Sequence, residues 1–256
     1  MYLCIEERDL SESEGLSPNV GWTHYFDYPS MVKVKEYFHV NNENKNDSGQ
    51  SFCIGNIQYQ INCISTVADW RNNFFIWERD TNRLIESRSI VSDQNGEVLR
   101  LLGISAKGNT FYIGGMDHPS YAYNGIYSYN LNSPGNVAYL RRASSFTADG
   151  IGIHGGFLFH CAEEDGNLRI VDLNSWNLVR TIALPDDGEF HFRGCTVIGS
   201  EIIVGNVTNH RMYWLDEGTF VVSKYFDVSG FMHDAGNEMP YGCWMATQEG
   251  FMKTKL

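Results

Sequence analysis

The chain has 256 residues, 43% hydrophobic and 14% aromatic, a composition that supports a buried core and excludes intrinsic disorder. Its 19 basic residues are scattered among 31 acidic ones for a net charge of −12, which excludes the clustered Lys and Arg that a nucleic-acid partner requires. No apolar run approaches the roughly 18 residues needed to cross a bilayer, and "MYLCIEERDLSESEG" places acids where a secretory leader needs a basic end and a long apolar run. The expected setting is the cytoplasm or a larger particle such as a virion.

In chain order, residues 1–21 turn polar after Ile5 and are expected to form an N-terminal arm, with residues 22–256 as a single domain. "HYFDYPSMVKVKEYFHV" (His24 to Val40) reads as a β-hairpin, and the polar run "NNENKNDSGQ" (41–50) reads as a loop. Then come pairs of hairpins. The first of each pair is a small-residue strand, a turn and a more apolar strand: "SFCIGNIQYQINCIST", "LGISAKGNTFYIGGM", "DGIGIHGGFLFHCAE" and "RGCTVIGSEIIVGNV". The second is an apolar or aromatic strand, an Asp/Asn/Gly/Ser/Pro turn and an alternating strand, as in "FFIWERDTNRLIESRSIV" and "LRIVDLNSWNLVRTIAL". The chain ends on a lone copy of the first type, "YGCWMATQEGFMKTKL".

The first strands begin at Phe52, Gly103, Gly150, Gly194 and Gly242, spaced by 51, 47, 44 and 48 residues. Four strands at that period are the signature of a β-propeller blade. "MYWLDEGTFVVSKYFDV" (Met212 to Val228) aligns without a gap on His24 to Val40, matching Tyr25 with Tyr213 and Tyr37 with Tyr225. The N-terminal hairpin therefore reads as the outer half of a blade whose two inner strands come from the C-terminus. The expectation is an all-β, five-bladed β-propeller closed by N-terminal outer strands and C-terminal inner strands.

"LRIVDLNSWNLVRTIALP", with Asp172 at the acidic turn position, resembles the end of a WD-type or YVTN-type propeller repeat, although the Gly-His dipeptide of WD repeats is missing. This resemblance implies a fold and no activity. The architecture is also similar to that of five-bladed glycosidases and calcium-dependent nucleotidases, which place carboxylates on or beside the innermost strands. The inner segments "FCIGNI", "GISAKG", "GIGIHGG", "GCTVIGS" and "GCWMAT" contain no Asp or Glu, so a paired-carboxylate hydrolase is not expected.

Six cysteines (4, 53, 63, 161, 195, 243) show no zinc-site spacing. Cys53, Cys195 and Cys243 align at one blade position, but compact buried thiols explain them without a metal. "AEEDGN" lacks the alternating acids of a calcium loop. Sequons occur at Asn46 and Asn206. No metal and no cofactor is expected.

The face where propellers usually hold ligands gathers Asp69, Trp70, Arg71, Asp117, His118, Tyr121, Tyr123, Asp149, His191, Arg193, His233 and Asp234. Aromatic rings beside polar groups suit peptides and sugars. His191, His233 and Asp234 could support catalysis only beside a positioned nucleophile, and no G-x-S-x-G elbow occurs. The expected role is non-catalytic: a protein-interaction or assembly scaffold, with glycan binding as the alternative and a hydrolase of unfamiliar type behind both.

Overall fold

A computed structural model describes residues 2–8, 20–40, 46–65, 70–90, 99–117, 124–132, 138–142, 148–161, 165–185, 192–206, 209–231 and 246–250. Among them are twenty strands and one short 3-10 turn, Ser229–Phe231. Three sheets have four strands each. The second sheet holds β8 (Leu99–Lys107), β9 (Thr110–Asp117), β10 (Gly125–Asn130) and β11 (Ala138–Arg142). The third holds β12 (Gly150–His154), β13 (Phe157–Cys161), β14 (Asn167–Asp172) and β15 (Leu178–Ala183). The fourth holds β16 (Phe192–Ile198), β17 (Glu201–Asn206), β18 (Arg211–Asp216) and β19 (Val222–Asp227).

The first sheet is different. It contains β1 (Tyr2–Arg8), β2 (Val20–Asp27), β3 (Val32–Val40), β4 (Asn46–Ile54), β5 (Ile57–Ser65), β6 (Trp70–Glu78), β7 (Arg83–Ile90) and β20 (Ala246–Gly250), in the order β3-β2-β1-β20-β4-β5-β6-β7. The expectation of five separate blades is therefore corrected to a propeller-like ring of four sheets. The cause is β20, which pairs antiparallel with β1 from Leu3↔Gln248 to Ile5↔Ala246 and parallel with β4 through Glu249↔Cys53 and Gly250↔Ile54. That parallel pairing fuses the closing strands to the first complete unit. The innermost strands β4, β8, β12, β16 and β20 follow one another side by side, and β20 returns to β4.

Three further expectations change. Tyr2–Arg8 is a strand rather than part of an arm, because Leu3 is fully buried with Phe26, Met212 and Trp214 and every residue of β1 pairs with β2. The run 46–50 belongs to β4, where Asn46, Asp47 and Ser48 pair with Ile64, Cys63 and Asn62. The innermost strands consequently do include acids, Asp47 in β4 and Glu249 in β20. The C-terminus contributes β20 to the closure, and the rest of the expected C-terminal hairpin, residues 242–245 and 251–256, lies outside the described residues.

Neighbouring inner strands approach closely. A Cβ added at Gly150 would lie 2.5 Å from the Cys195 backbone nitrogen, and one at Gly152 would lie 3.0 Å from Thr196 Cα. This places β12 and β16 in step and parallel, and it requires small residues at the contact. The ends of the sheets thereby sort into two faces. One carries the turns β4–β5, β8–β9, β12–β13 and β16–β17, and is called here the turn face; the opposite end is the loop face.

The outer hairpins share a turn that holds the ring together. In four of them an acid accepts from a Ser or Thr three residues on, and the next residue adopts positive φ: Asp27/Ser30/Met31 (55°), Glu78/Thr81/Asn82 (54°), Asp172/Ser175/Trp176 (58°) and Asp216/Thr219/Phe220 (59°). Large residues occupy the left-handed region at a cost, which their packing on a neighbouring sheet offsets. Trp176 meets Tyr112 of the second sheet at 5.9 Å, and Phe220 lies under Arg180 of the third at 4.7 Å. Each outer pairing also contains a register slip that leaves one residue out of the ladder: Val34, Ile85, Leu140, Val179 and Ser223. Bulges of this kind blunt an exposed sheet edge against association.

The aligned hairpins of the sequence are alike in space. Tyr25 and Tyr37 sit 5.7 Å apart across β2–β3, and Tyr213 and Tyr225 sit 6.3 Å apart across β18–β19. Tyr28 of the β2–β3 turn donates to Glu201 of the fourth sheet, which also pairs with Lys224 at 3.2 Å. Burial, followed by this bond to Glu201, raises the Tyr28 phenol to about 12.

Candidate functional site: a polar crevice on the loop face

Adjacent sheets meet face to face, and most of these contacts are apolar. Between the third and fourth sheets, Phe159, Cys161, Leu168 and Ile170 pack against Val197, Ile202, Val204 and Leu215. Between the first and second, Phe52, Ile61 and Phe74 pack against Ile104, Phe111 and Ile113. The contact between the second and third sheets holds an apolar cluster, Ile126, Ala148, Ile151, Leu158 and Val171, and buries polar side chains beside it toward the loop face.

Strand alternation shows why. Leu158 and Val171 face this crevice, so His160 and Arg169, two residues along each strand and paired with each other in the ladder, face it as well. Opposite them, Ile126 carries Asn124 to the same side, and Asp149 leads into Ile151. All are well covered: Asn124 is 8% exposed, Asp149 2% and His160 1%. Arg169 forms an ion pair with Asp165 through Nη2, while its buried Nη1 and the buried Oδ1 of Asn124 have no hydrogen-bond partner. Each such orphaned group costs about 1–3 kcal/mol.

Of the residues singled out in the sequence, Asp149 is buried just before β12, where its backbone lies against Gly103 of the second sheet. Trp70 and Arg71 begin β6 and pair with Ser65 and Ile64, and Asp117 ends β9 opposite Leu99. Arg193 is the residue left out of the β16–β17 ladder between Phe192 and Gly194. These four sit at loop-face strand ends. Asp69, His118, Tyr121, Tyr123, His191, His233 and Asp234 lie outside the described residues. Sequence reading missed His160, Arg169 and Asn124. Placing a polar residue opposite another in the "FLFHC"–"NLRIVD" hairpin was the available signal, since His160 and Arg169 fall opposite each other once the turn register is set.

Other polar groups on this face are engaged by their own loops. Asp165 accepts from the Asn167 amide at 3.1 Å, and Asn206 Oδ1 accepts from the Asn209 amide at 3.2 Å. Asn206 is also fully buried, so its sequon is closed to a glycosylating enzyme in the folded chain. Cys53 and Cys195 are not equivalent, standing two residues before Gly55 and four before Gly199, the first residues of their turns. Cys53 packs against Tyr25, and Cys195 lies in the apolar cluster with Cys161. Burial raises both the Cys161 and Cys195 thiols, which disfavours the thiolate that nucleophilic chemistry needs. Among the described residues, no three His, Cys, Asp or Glu side chains are placed to hold a metal ion.

No family model matches this chain, and no curated protein does. Similar folds occur among solved structures. Glutaminyl cyclase from Myxococcus xanthus superposes with a TM-score of 0.53 at 10% identity, over 77% of this chain and 82% of that one. The likeness is one of fold alone. A protein of unknown function from Bacteroides caccae gives 0.49 at 9% identity over 91% and 76% of the two chains. The WD40 domain of Neurospora crassa Pan2 gives 0.45 at 12% identity over 71% of this chain and 50% of that one.

Proposed function

We propose that the chain is a non-catalytic propeller-like module that engages another protein at its loop face. The observation supporting this reading most is the contrast between reactive and binding groups. The Cys161 and Cys195 thiols are buried and held protonated, and the turn carboxylates Asp172 and Asp216 are taken up by their own turns. Buried polar side chains instead include Asn124, Asp149 and His160 at the contact between the second and third sheets, on its loop-face side. Trp70, Arg71, Asp117 and Arg193 at the surrounding strand ends form the outer part of the proposed contact surface, with Asp69, His118, Tyr121, Tyr123, His191, His233 and Asp234 assigned to it by chain position.

Position-resolved photocrosslinking tests this. A photoreactive residue at Trp70 or Arg193 should yield discrete adducts with a protein partner in the native cell, and one at Asn174 or Gly218 on the turn face should not. Adducts from both faces alike, or from the turn face only, would overturn the reading.

A further inference from the structure

We propose that the ring opens first at one joint inside the first sheet, where the closing strands β1–β3 and β20 meet β4–β7.

The two sides of the closing hairpin β2–β3 differ in what holds them. Toward the fourth sheet, Phe26 packs with Leu3, Ile203, Met212 and Trp214, and its ring meets Phe226 at 6.0 Å and Phe231 at 5.2 Å, both edge-on. Toward β4–β7, the apolar cluster among the described residues is Tyr25 with Cys53, and Tyr37 packs partly buried against it. Alternation explains the difference. In β5, Ile57, Tyr59 and Ile61 face the second sheet, which turns the buried Gln58 and Gln60 toward the closing hairpin. In β6, Phe74 and Ile76 face the second sheet, which turns Phe75 and Trp77 the other way, where they pack on each other at 6.0 Å.

Polar bonds supply much of what joins the hairpin to β4–β7. Tyr25 donates to Gln58 Oε1 at 2.6 Å, and Tyr37 donates to the Asp80 carbonyl at 2.7 Å. Lys35 Nζ lies 4.6 Å from the centre of the Tyr25 ring, 5.2 Å from that of Tyr37 and 3.4 Å from Asp80 Oδ1. Opening exchanges such bonds for bonds to water, and salt weakens an ion pair to an exposed carboxylate such as Asp80. Apolar side chains gain no such replacement when water reaches them. The backbone adds little. Among the described residues, pairing across the joint consists of Glu249↔Cys53 and Gly250↔Ile54, whereas β20 pairs with β1 from Leu3↔Gln248 to Ile5↔Ala246 and β1 pairs with β2 along its whole length.

Native thiols report on the two kinds of joint. Cys53 is buried in this one beside Tyr25, and Cys161 and Cys195 are buried in the apolar contact between the third and fourth sheets. The whole chain is treated with a maleimide in native buffer, and labelled thiols are located by peptide mass spectrometry. Each rate is divided by the rate of the same thiol in the urea-unfolded chain. Cys53 should label roughly tenfold or more faster than Cys161 and Cys195, with little dependence on added urea. Salt should speed Cys53 alone, and Lys35→Met, which keeps an apolar stem and drops the charge, should speed it by roughly threefold. One rate and one urea dependence for all three thiols would mean that only global unfolding exposes them, and would overturn the proposal. Faster labelling of Cys161 or Cys195 would overturn it in favour of the joint between the third and fourth sheets. A Cys53 rate indifferent to both salt and Lys35→Met would overturn it too, because the polar contacts would then not be what holds the joint.

Discussion

The third sheet has two faces made by the same four strands, and they have opposite characters. Toward the fourth sheet it presents Phe159, Cys161, Leu168 and Ile170, closed over by aliphatic and aromatic side chains. Toward the second it presents Leu158 and Val171, then His160 and Arg169 nearer the loop face. Alternation along β13 and β14 produces both faces from "FLFHC" and "NLRIVD". A ring needs each inter-sheet contact to be cohesive, and the apolar face meets that need. The other contact buries His160, Arg169 and Asn124, and there Arg169 Nη1 and Asn124 Oδ1 are covered without a hydrogen bond, at a cost the apolar contact does not carry.

The contrast can be attacked with substitutions. Phe159→Ala removes a fully buried ring from the apolar face and should destabilise the fold by about 3–5 kcal/mol in urea unfolding. A loss below about 1 kcal/mol would mean that this contact is not the cohesive one. Gly150→Ala places a methyl against the Cys195 and Gly194 backbone at 2.5–2.6 Å, where no flexible side-chain end can yield. It should cost roughly 1–3 kcal/mol and weaken the join between third and fourth sheets.

A smaller effect sits at the turn common to both faces. Asp172 accepts from the Ser175 and Asn174 amides and from the Ser175 hydroxyl, which holds its carboxyl below the usual aspartate range. A depressed folded-state pKa contributes stability that is present above the unfolded value and lost as pH falls through the folded one. Asp172→Asn should therefore flatten the acid limb of the stability–pH curve below about pH 4 and leave neutral and alkaline behaviour unchanged. A change confined to neutral or higher pH would show that the turn acts otherwise.

The repeat was readable because each hairpin carries its own turn chemistry and aromatic pattern. Tyr25 with Tyr37 and Tyr213 with Tyr225 align in sequence and pair across strands in space. The sheet count was not readable, since it depends on a parallel contact between β20 and β4, which local pattern does not encode. Tyr2–Arg8 was hidden because its apolar residues, Tyr2 to Ile5, run together without a period of two and are followed at once by Glu6, Glu7 and Arg8. The crevice was hidden for a different reason. His160 sits in a strand that reads as wholly apolar, and its neighbourhood is created by Arg169 across a turn and Asn124 on another sheet.

The asymmetry of the third sheet's two contacts is tested most directly by one pair of urea-unfolding measurements. Val204 and Asn124 are both buried, the first in the apolar contact and the second in the polar crevice. Val204→Asn should destabilise by about 2–4 kcal/mol, because it buries an amide among aliphatic groups. Asn124→Leu should leave stability unchanged or raise it by about 1 kcal/mol, because it removes an acceptor that has no partner. Equal losses from the two substitutions would contradict the account, for they would show that Asn124 is as much a part of the ring's cohesion as Val204.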